Sequence, residues 1–135
     1  MNFGIEFIAF RYVGFSRGAT PSHRLLARNI MPADVARANL IAATRADLGY
    51  DIFHIGPETP LTQSDIAQAV TDPYGVVERH WPGSAEALRA AGVKLKFDDF
   101  WPVTRTDRAK RVLGWRPEAT FETYLRSIGW DGRAA

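Results

Sequence analysis

The segment 5–13, with the sequence IEFIAFRYV, limits the possible folds of this chain more than any other segment. It is aromatic and β-branched with little alternation between apolar and polar positions. This pattern is typical of a strand buried on both faces, as in a parallel sheet. A second short strand is predicted at YDIFHIG, from residue 50. Two strands alone rarely form a stable sheet, so the first strand is expected to have neighbours on both sides.

The rest of the chain is predominantly helical in pattern. Pro32 suits the first turn of a helix whose apolar stripe runs from Val35 to Leu48, with Gly49 as its stop. Thr62 is predicted to cap a second helix with Asp65 in an aspartate variant of the capping box. The inner face of that second helix is predicted to consist of Ile66, Ala67 and Val70.

Residues 73–82 are interrupted by proline and glycine and are predicted to be broken, and residues 84–91 are predicted to be helical. TRTDRAKRVLGWRP, residues 104–117, predicts a short helix capped by Asp107 and stopped by Gly114. A last helix is predicted to begin at Thr120. The predicted order is strand, helix, strand and four helices, which is an α/β chain with few strands.

Length and composition favour one globular domain spanning residues 1–135. Hydrophobic residues make up 46% and charged residues 24%, and 17 basic side chains nearly balance 15 acidic ones. No lysine- and arginine-rich block indicates nucleic-acid binding, and no stretch approaches the roughly 20 apolar residues of a membrane span. The chain has no cysteine, which fits a cytoplasmic location. We therefore expect neither a nucleic-acid partner nor a membrane partner.

Local catalytic motifs are missing from the sequence. The three histidines are too far apart for a local metal motif, and no G-x-S-x-G elbow, G-x-G-x-x-G turn or phosphate-binding loop occurs. Five arginines fall within the first forty positions, and a guanidinium group suits phosphate binding. Each of them can equally be a surface charge, so both interpretations stay open.

Four blocks of sequence, taken in order, resemble the C-terminal part of the NAD-dependent epimerase/dehydratases, which are extended short-chain dehydrogenase/reductases. The blocks are IEFIAFRYVGFSRG, RNIMPADVARANLIAA, YDIFHIGPETPLTQSDIAQAV and DRAKRVLGWRPEATFETYL. The resemblance covers residues 5–126. It implies an incomplete Rossmann-type C-terminal portion, with few strands and a small helical substrate lobe. In this family Gly114 and Trp115 would be structural, as a helix stop and an apolar plug.

The resemblance also shows what this chain lacks. Enzymes of this family transfer a hydride through NAD and use a tyrosine of a Tyr-x-x-x-Lys pair as acid and base. The four tyrosines are followed four positions later by Ser16, His54, Glu78 and Ile128, and none of these is lysine. The glycine-rich dinucleotide turn is also missing. We therefore expect no catalytic residue and no NAD binding by this chain alone.

The resemblance implies substrate-binding roles for four residues. Arg11 and Tyr12 match the start of the family's Arg-Tyr-Phe-Asn stretch, although Gly14 stands where its asparagine would be. Arg28 is the best candidate for a diphosphate contact. Arg105 stands where the family often has an acidic residue, which leaves its role open.

Asp34 matches a family aspartate at a helix start, where it is expected to act as a cap. Two hypotheses for the whole chain follow from the resemblance. The first is the substrate-binding portion of a nucleotide-sugar epimerase or dehydratase, inactive alone, truncated or split from a separate Rossmann-half chain. The second is a non-enzymatic module that binds a nucleotide sugar or dimerises. Because the strand at 5–10 would expose unpaired backbone groups if nothing covered it, a homo-oligomer is expected.

Overall fold

The computed structural model describes residues 7–12, 14–15, 23–26, 29–97, 103 and 105–132. Strand β1 (Phe7–Tyr12) and strand β4 (Tyr50–Ile55) form a parallel pair in which Arg11 lies opposite His54. Two shorter strands, β2 (Gly14–Phe15) and β3 (Asn29–Ile30), form a second parallel pair. The chain is thus mixed α/β with a small parallel sheet and several helices, and both predicted strands are confirmed.

The faces of the β1–β4 pair differ in exposure. Phe53 and Ile55 of β4 are fully buried, whereas Tyr50 and Ile52 are 77% and 48% exposed. In β1, Ile8 to Phe10 are half-buried and Arg11 is exposed. The prediction that the first strand is buried on both faces is therefore wrong for these described residues. An aromatic, β-branched run has the same composition whether one face or both are covered, so composition alone cannot distinguish them.

The helices are α1 (Pro32–Thr44), α2 (Gln63–Ala69), α3 (Pro73–His80), α4 (Ser84–Ala90) and α5 (Phe121–Ser127). A 3-10 helix covers His23–Leu26 and a π-helical turn covers Ala109–Leu113. Helix α1 starts at Pro32 as predicted but ends at Thr44, four residues before the predicted end at Leu48. Arg45 is already extended, and its guanidinium donates to Asp47 and to the carbonyl of Val112.

Helix α2 has the predicted cap. The Thr62 hydroxyl accepts from the Asp65 amide at 3.1 Å, and the Asp65 carboxylate accepts from the Thr62 amide at 2.9 Å. The predicted inner face is only partly right, because Ile66 and Ala69 are buried whereas Ala67 and Val70 are exposed. In a helix of seven residues, the i and i+3 positions suffice to define the buried face.

Helix α3 occupies the segment that was predicted to be broken. Pro73 lies in its first turn, where no amide donor is needed. The carboxylate of Asp72 caps the helix by accepting from the Gly75 amide at 3.0 Å. A Cβ atom at position 75 would overlap that carboxylate. The glycine that suggested a break is therefore the residue that makes room for the cap.

The π-helical turn ends as predicted. Gly114 has φ +66°, a left-handed conformation that suits glycine, and Trp115 directly after it is fully buried. The roles predicted for both residues, stop and apolar plug, are confirmed. The N-cap position is Arg108 and Asp107 precedes it, so the predicted Asp107 cap is wrong.

Two hydrophobic cores lie side by side. The sheet core unites the strands, α1 and the π-helical turn, and its buried members are Ile30, Ala38, Phe53, Ile55, Ala109, Leu113 and Trp115. The helical core unites α2 to α5, and its large members include Leu61, Ile66, Leu88, Phe121 and Leu125. The chain crosses from the sheet core to the helical core between Ile55 and Leu61, and again between Trp115 and Phe121.

Asp34 of α1 forms hydrogen bonds with the backbone of the second crossing, between Trp115 and Phe121. Asp34 is only 2% exposed. Its carboxylate accepts from the amides of Glu118 at 2.8 Å and Ala119 at 3.2 Å. Arg37 donates to the same carboxylate at 2.9 Å. Met31 is the N-cap of α1 and Asp34 is its third residue, so the predicted cap of α1 is wrong. The side chain satisfies backbone donors of a distant segment, which no local pattern reveals.

Replacing Asp34 with asparagine should destabilise the protein by about 2 kcal/mol, because an amide cannot accept from all three donors and leaves a partly buried N–H unpaired. Urea unfolding followed by circular dichroism measures this change. The control is Asp107→Asn, which alters an exposed aspartate and should leave the urea midpoint unchanged. Equal midpoints for both variants would contradict the role given to Asp34.

Glu78 predicts an acid sensitivity. Its carboxylate accepts from the amides of Gly83 at 2.7 Å and Ala85 at 3.0 Å, and these bonds hold the pKa of Glu78 below its usual range. A depressed folded-state pKa stabilises the protein above the unfolded value, about 4.3. That stability is lost as the pH falls through the folded value.

The Glu78→Gln variant should therefore lose less stability than the wild type when the pH is lowered from about 5 to about 3. Urea midpoints measured across that range test this expectation. Glu86→Gln is the matched control, since Glu86 is an exposed glutamate in the neighbouring helix α4. In this control, the urea midpoint should fall with decreasing pH as steeply as in the wild type. A wild-type slope in Glu78→Gln as well would show that the Glu78 contacts do not contribute.

Candidate functional site

A polar cavity lies just beyond the carboxyl end of strand β4. Its volume is about 250 Å³, and it is lined by Pro57, Glu58, Thr59, Pro60, Arg105, Thr106, Asp107 and Lys110. The first four residues follow β4 directly, and the other four form the start of the π-helical turn and the residues before it. We call this cavity the strand-end cavity. In open parallel sheets, ligands bind in crevices outside the carboxyl ends of the strands, so its location fits a binding site.

Glu58 is the central acid of the strand-end cavity. The Nζ atom of Lys110 lies 2.6 Å from Oε1 of Glu58, and Nη1 of Arg116 lies 3.4 Å from the same oxygen. Oε2 of Glu58 has no hydrogen-bond partner among the described residues. The side chain is thus held in place through one oxygen while the other remains able to accept from a ligand.

Arg105 and Asp107 complete the charges of the strand-end cavity. Both are exposed, and neither forms an ion pair within the described part of the chain. Lys110 is already neutralised by Glu58. The cavity therefore presents one unpaired cation beside carboxylate oxygens that accept hydrogen bonds. Such a lining suits a ligand that carries both an anionic group and hydroxyl donors.

The wall that carries these residues is anchored to β4 by Arg108. Its Nε and Nη2 atoms donate to the two oxygens of Asp51 at 2.8 and 2.6 Å. This fork-to-fork contact holds the pKa of Asp51 below its usual range. The Arg108 guanidinium also lies 5.9 Å from the ring centre of Phe53. Bidentate geometry restricts rotation as well as distance, so the start of the π-helical turn is fixed relative to the strand.

The four predicted substrate-binding residues fall in different places. Arg105 lines the strand-end cavity, whereas Arg11 lies on the exposed part of β1 beside His54. The backbone of Tyr12 ends β1, opposite Ile55, at the same edge of the sheet as the cavity. Arg28 lies outside the described residues. Ligand binding by each of these residues stays a prediction.

The sequence analysis did not identify Glu58, Asp107 or Lys110 as site residues. For Glu58 a signal existed, because it follows the predicted strand YDIFHIG by two positions and the carboxyl ends of parallel strands favour binding sites. Lys110 and Asp107 come from a segment far along the chain, and only the packing of the π-helical turn against β4 brings them to Glu58.

A second cavity adjoins the first. It has a volume of about 220 Å³ and is lined by Glu58, Pro60, Trp81, Thr120, Phe121 and Glu122. Glu58 and Pro60 therefore line both cavities. We call this second space the Trp81 cavity, because Trp81 is the largest of its lining residues.

The described residues contain neither a metal cluster nor a membrane-spanning helix. No group of three histidine, aspartate or glutamate side chains is placed to hold a metal ion. No helix in the same part of the chain has the length and apolar character required to cross a bilayer.

No protein-family model matches the sequence, and no curated protein matches it. Among solved structures, the chain is similar to UDP-N-acetylglucosamine 4-epimerase from Bacillus cereus, with 18% identity and a TM-score of 0.47. The alignment covers 93% of this chain but only 43% of that structure. At this level of similarity no family or activity is assigned. The fold and site define a mixed α/β protein with a polar cavity at the edge of a parallel strand pair.

Proposed function

We propose that this chain is the substrate-binding portion of an NAD-dependent epimerase/dehydratase-like protein and that the strand-end cavity binds a nucleotide sugar. The observation that carries the proposal is that Arg105, which has no ion pair within the described part of the chain, lines the same cavity beyond the end of β4 as Glu58 and Asp107. A nucleotide sugar offers the matching groups, a diphosphate for the guanidinium and hydroxyls for the carboxylates.

The sequence resemblance and the cavity support each other. Of the four blocks that resemble the family, the first contains β1 and the second contains β3 and α1. The third block runs from β4 through residues 57–60 into α2, and the fourth contains the π-helical turn and α5. The third and fourth blocks thus supply or adjoin the cavity lining, while the first two provide the strand and helix on which that lining rests.

We infer that the segment after β4 is not a cradle for NAD. A dinucleotide cradle needs a strand followed by a glycine-rich turn and the amino end of a helix, so that backbone amides point at the diphosphate. After β4 the chain contains Gly56, then Pro57 and Pro60, which lack amide donors. In our proposal, hydride transfer and the acid/base tyrosine belong to a separate Rossmann-half chain. That partner and a homo-oligomer remain predictions.

UDP should bind to this chain, and Arg105→Ala should weaken the binding about tenfold, since one charge-assisted contact is lost. Isothermal titration calorimetry measures both affinities. Arg111→Ala is the matched control, because Arg111 is an exposed arginine in the π-helical turn that follows Arg105 and is not part of the cavity lining. Absence of UDP binding to the wild type, or equal losses in both variants, would refute the proposed site.

NAD should produce no binding heat with this chain at concentrations where UDP does. The physical reason is that the described segment after β4 offers no amide-lined turn for the dinucleotide diphosphate. The same calorimeter and buffer serve for both ligands, so UDP is the positive control. A saturable NAD isotherm would show that the chain has its own cofactor site, contrary to the proposal.

A further inference from the structure

The Trp81 cavity is continuous in its lining with the strand-end cavity. Glu58 and Pro60 belong to both, so a ligand that fills one space lies beside the other. Each volume alone, about 250 and 220 Å³, is below the roughly 300 Å³ at which ligand pockets usually begin. Considered together, the two spaces enter that range. Their adjacency therefore suits one elongated ligand better than two separate small ones.

The apolar side of the Trp81 cavity is an aromatic pair. The rings of Trp81 and Phe121 meet edge to face, with centroids 4.9 Å apart. Phe121 is buried in the helical core, whereas Trp81 is only partly buried. The edge-to-face contact fixes the orientation of the Trp81 ring. A rigid and partly exposed indole offers an apolar surface on which a ring of similar size can lie.

The polar side of the Trp81 cavity consists of hydrogen-bond acceptors. Oε1 of Glu122 accepts from Arg126 at 3.1 Å, and Oε1 of Glu58 accepts from Lys110 and Arg116. The Oε2 atoms of both glutamates have no partner among the described residues. Because each carboxylate already has a basic partner, the cavity does not require a cation. It requires neutral donors, and hydroxyl groups meet that need.

We propose that the Trp81 cavity is a subsite for the neutral polyhydroxylated ring of a ligand whose anionic group occupies the strand-end cavity. The ring lies against the Trp81 indole, and its hydroxyls donate to Oε2 of Glu58 and of Glu122. This inference rests on the proposed function, and it adds a location and a chemical preference for the sugar part of the ligand.

Nuclear magnetic resonance titrations with UDP and with UDP-N-acetylglucosamine test this inference. The indole N–H signal of Trp81 is assigned by its loss in Trp81→Phe. UDP should shift amides around Arg105 but leave the Trp81 indole nearly unchanged. UDP-N-acetylglucosamine should shift both and bind about fivefold to tenfold more tightly, in line with the size of a single aromatic contact.

Two variants should abolish most of this additional affinity without changing UDP binding. Trp81→Ala removes the ring, and Trp81→Phe should restore part of the effect. Because Trp81 packs against the helical core and its removal can affect folding, Glu122→Ala is the second variant. Glu122 is exposed and pairs only with Arg126 among the described residues. Leu40→Ala, on the exposed side of α1, is the control and should behave as wild type.

The possible failures are distinguishable. If UDP binds but the sugar adds no affinity and the Trp81 indole does not shift, the subsite is refuted while the proposed function stands. If UDP itself does not bind, the proposed function fails and the subsite that rests on it fails as well. If spermidine, a cationic amine, shifts the Trp81 indole and UDP-N-acetylglucosamine does not, the cavity prefers cations and the inference is overturned.

Discussion

The contact between Asp34 and the segment after Trp115 determines how the two cores are arranged. Trp115 fills the sheet core, and its indole Nε1 donates to the carbonyl of Asp34 at 2.9 Å. Three and four residues later, the carboxylate of the same aspartate accepts from the amides of Glu118 and Ala119. One residue of α1 therefore fixes both ends of a short stretch of chain. Buried amides must be paired, so this stretch has little freedom to move.

This restraint extends to both cavities. The chain leaves the Asp34 contact at Ala119 and enters the Thr120 cap of α5, where Thr120, Phe121 and Glu122 line the Trp81 cavity. Arg116, in the same crossing, contacts Glu58 in the other crossing. That ion pair is exposed and contributes little stability. The burial of Trp115 and Asp34 therefore fixes the position of the second crossing. The cavities are thus a consequence of how two cores are joined.

Local sequence patterns predicted the features that depend on neighbouring residues. The β4 strand, the Thr62 capping box and the Gly114 stop each follow from a few consecutive side chains, and each is present in the structure. The failures share a different cause. Helix α3 was missed because Gly75 was interpreted as a break, although the Asp72 carboxylate needs the space beside it. The role of Asp34 depends on amides 84 and 85 positions away, which no window of sequence contains.

The candidate site was predicted only in part for the same physical reason. Arg105 was identified through a resemblance, but the residues that give it a chemical context are Glu58 and Lys110, which are 52 positions apart and meet at 2.6 Å. Pro57 and Pro60 flank Glu58, and their fixed φ angles limit the conformations of that segment before any ligand binds. The crossing from Ile55 to Leu61 is therefore restricted by its own prolines, and the crossing from Trp115 to Phe121 is restricted by Asp34. Polar side chains held between two such crossings are preorganised, and binding to them costs less conformational entropy.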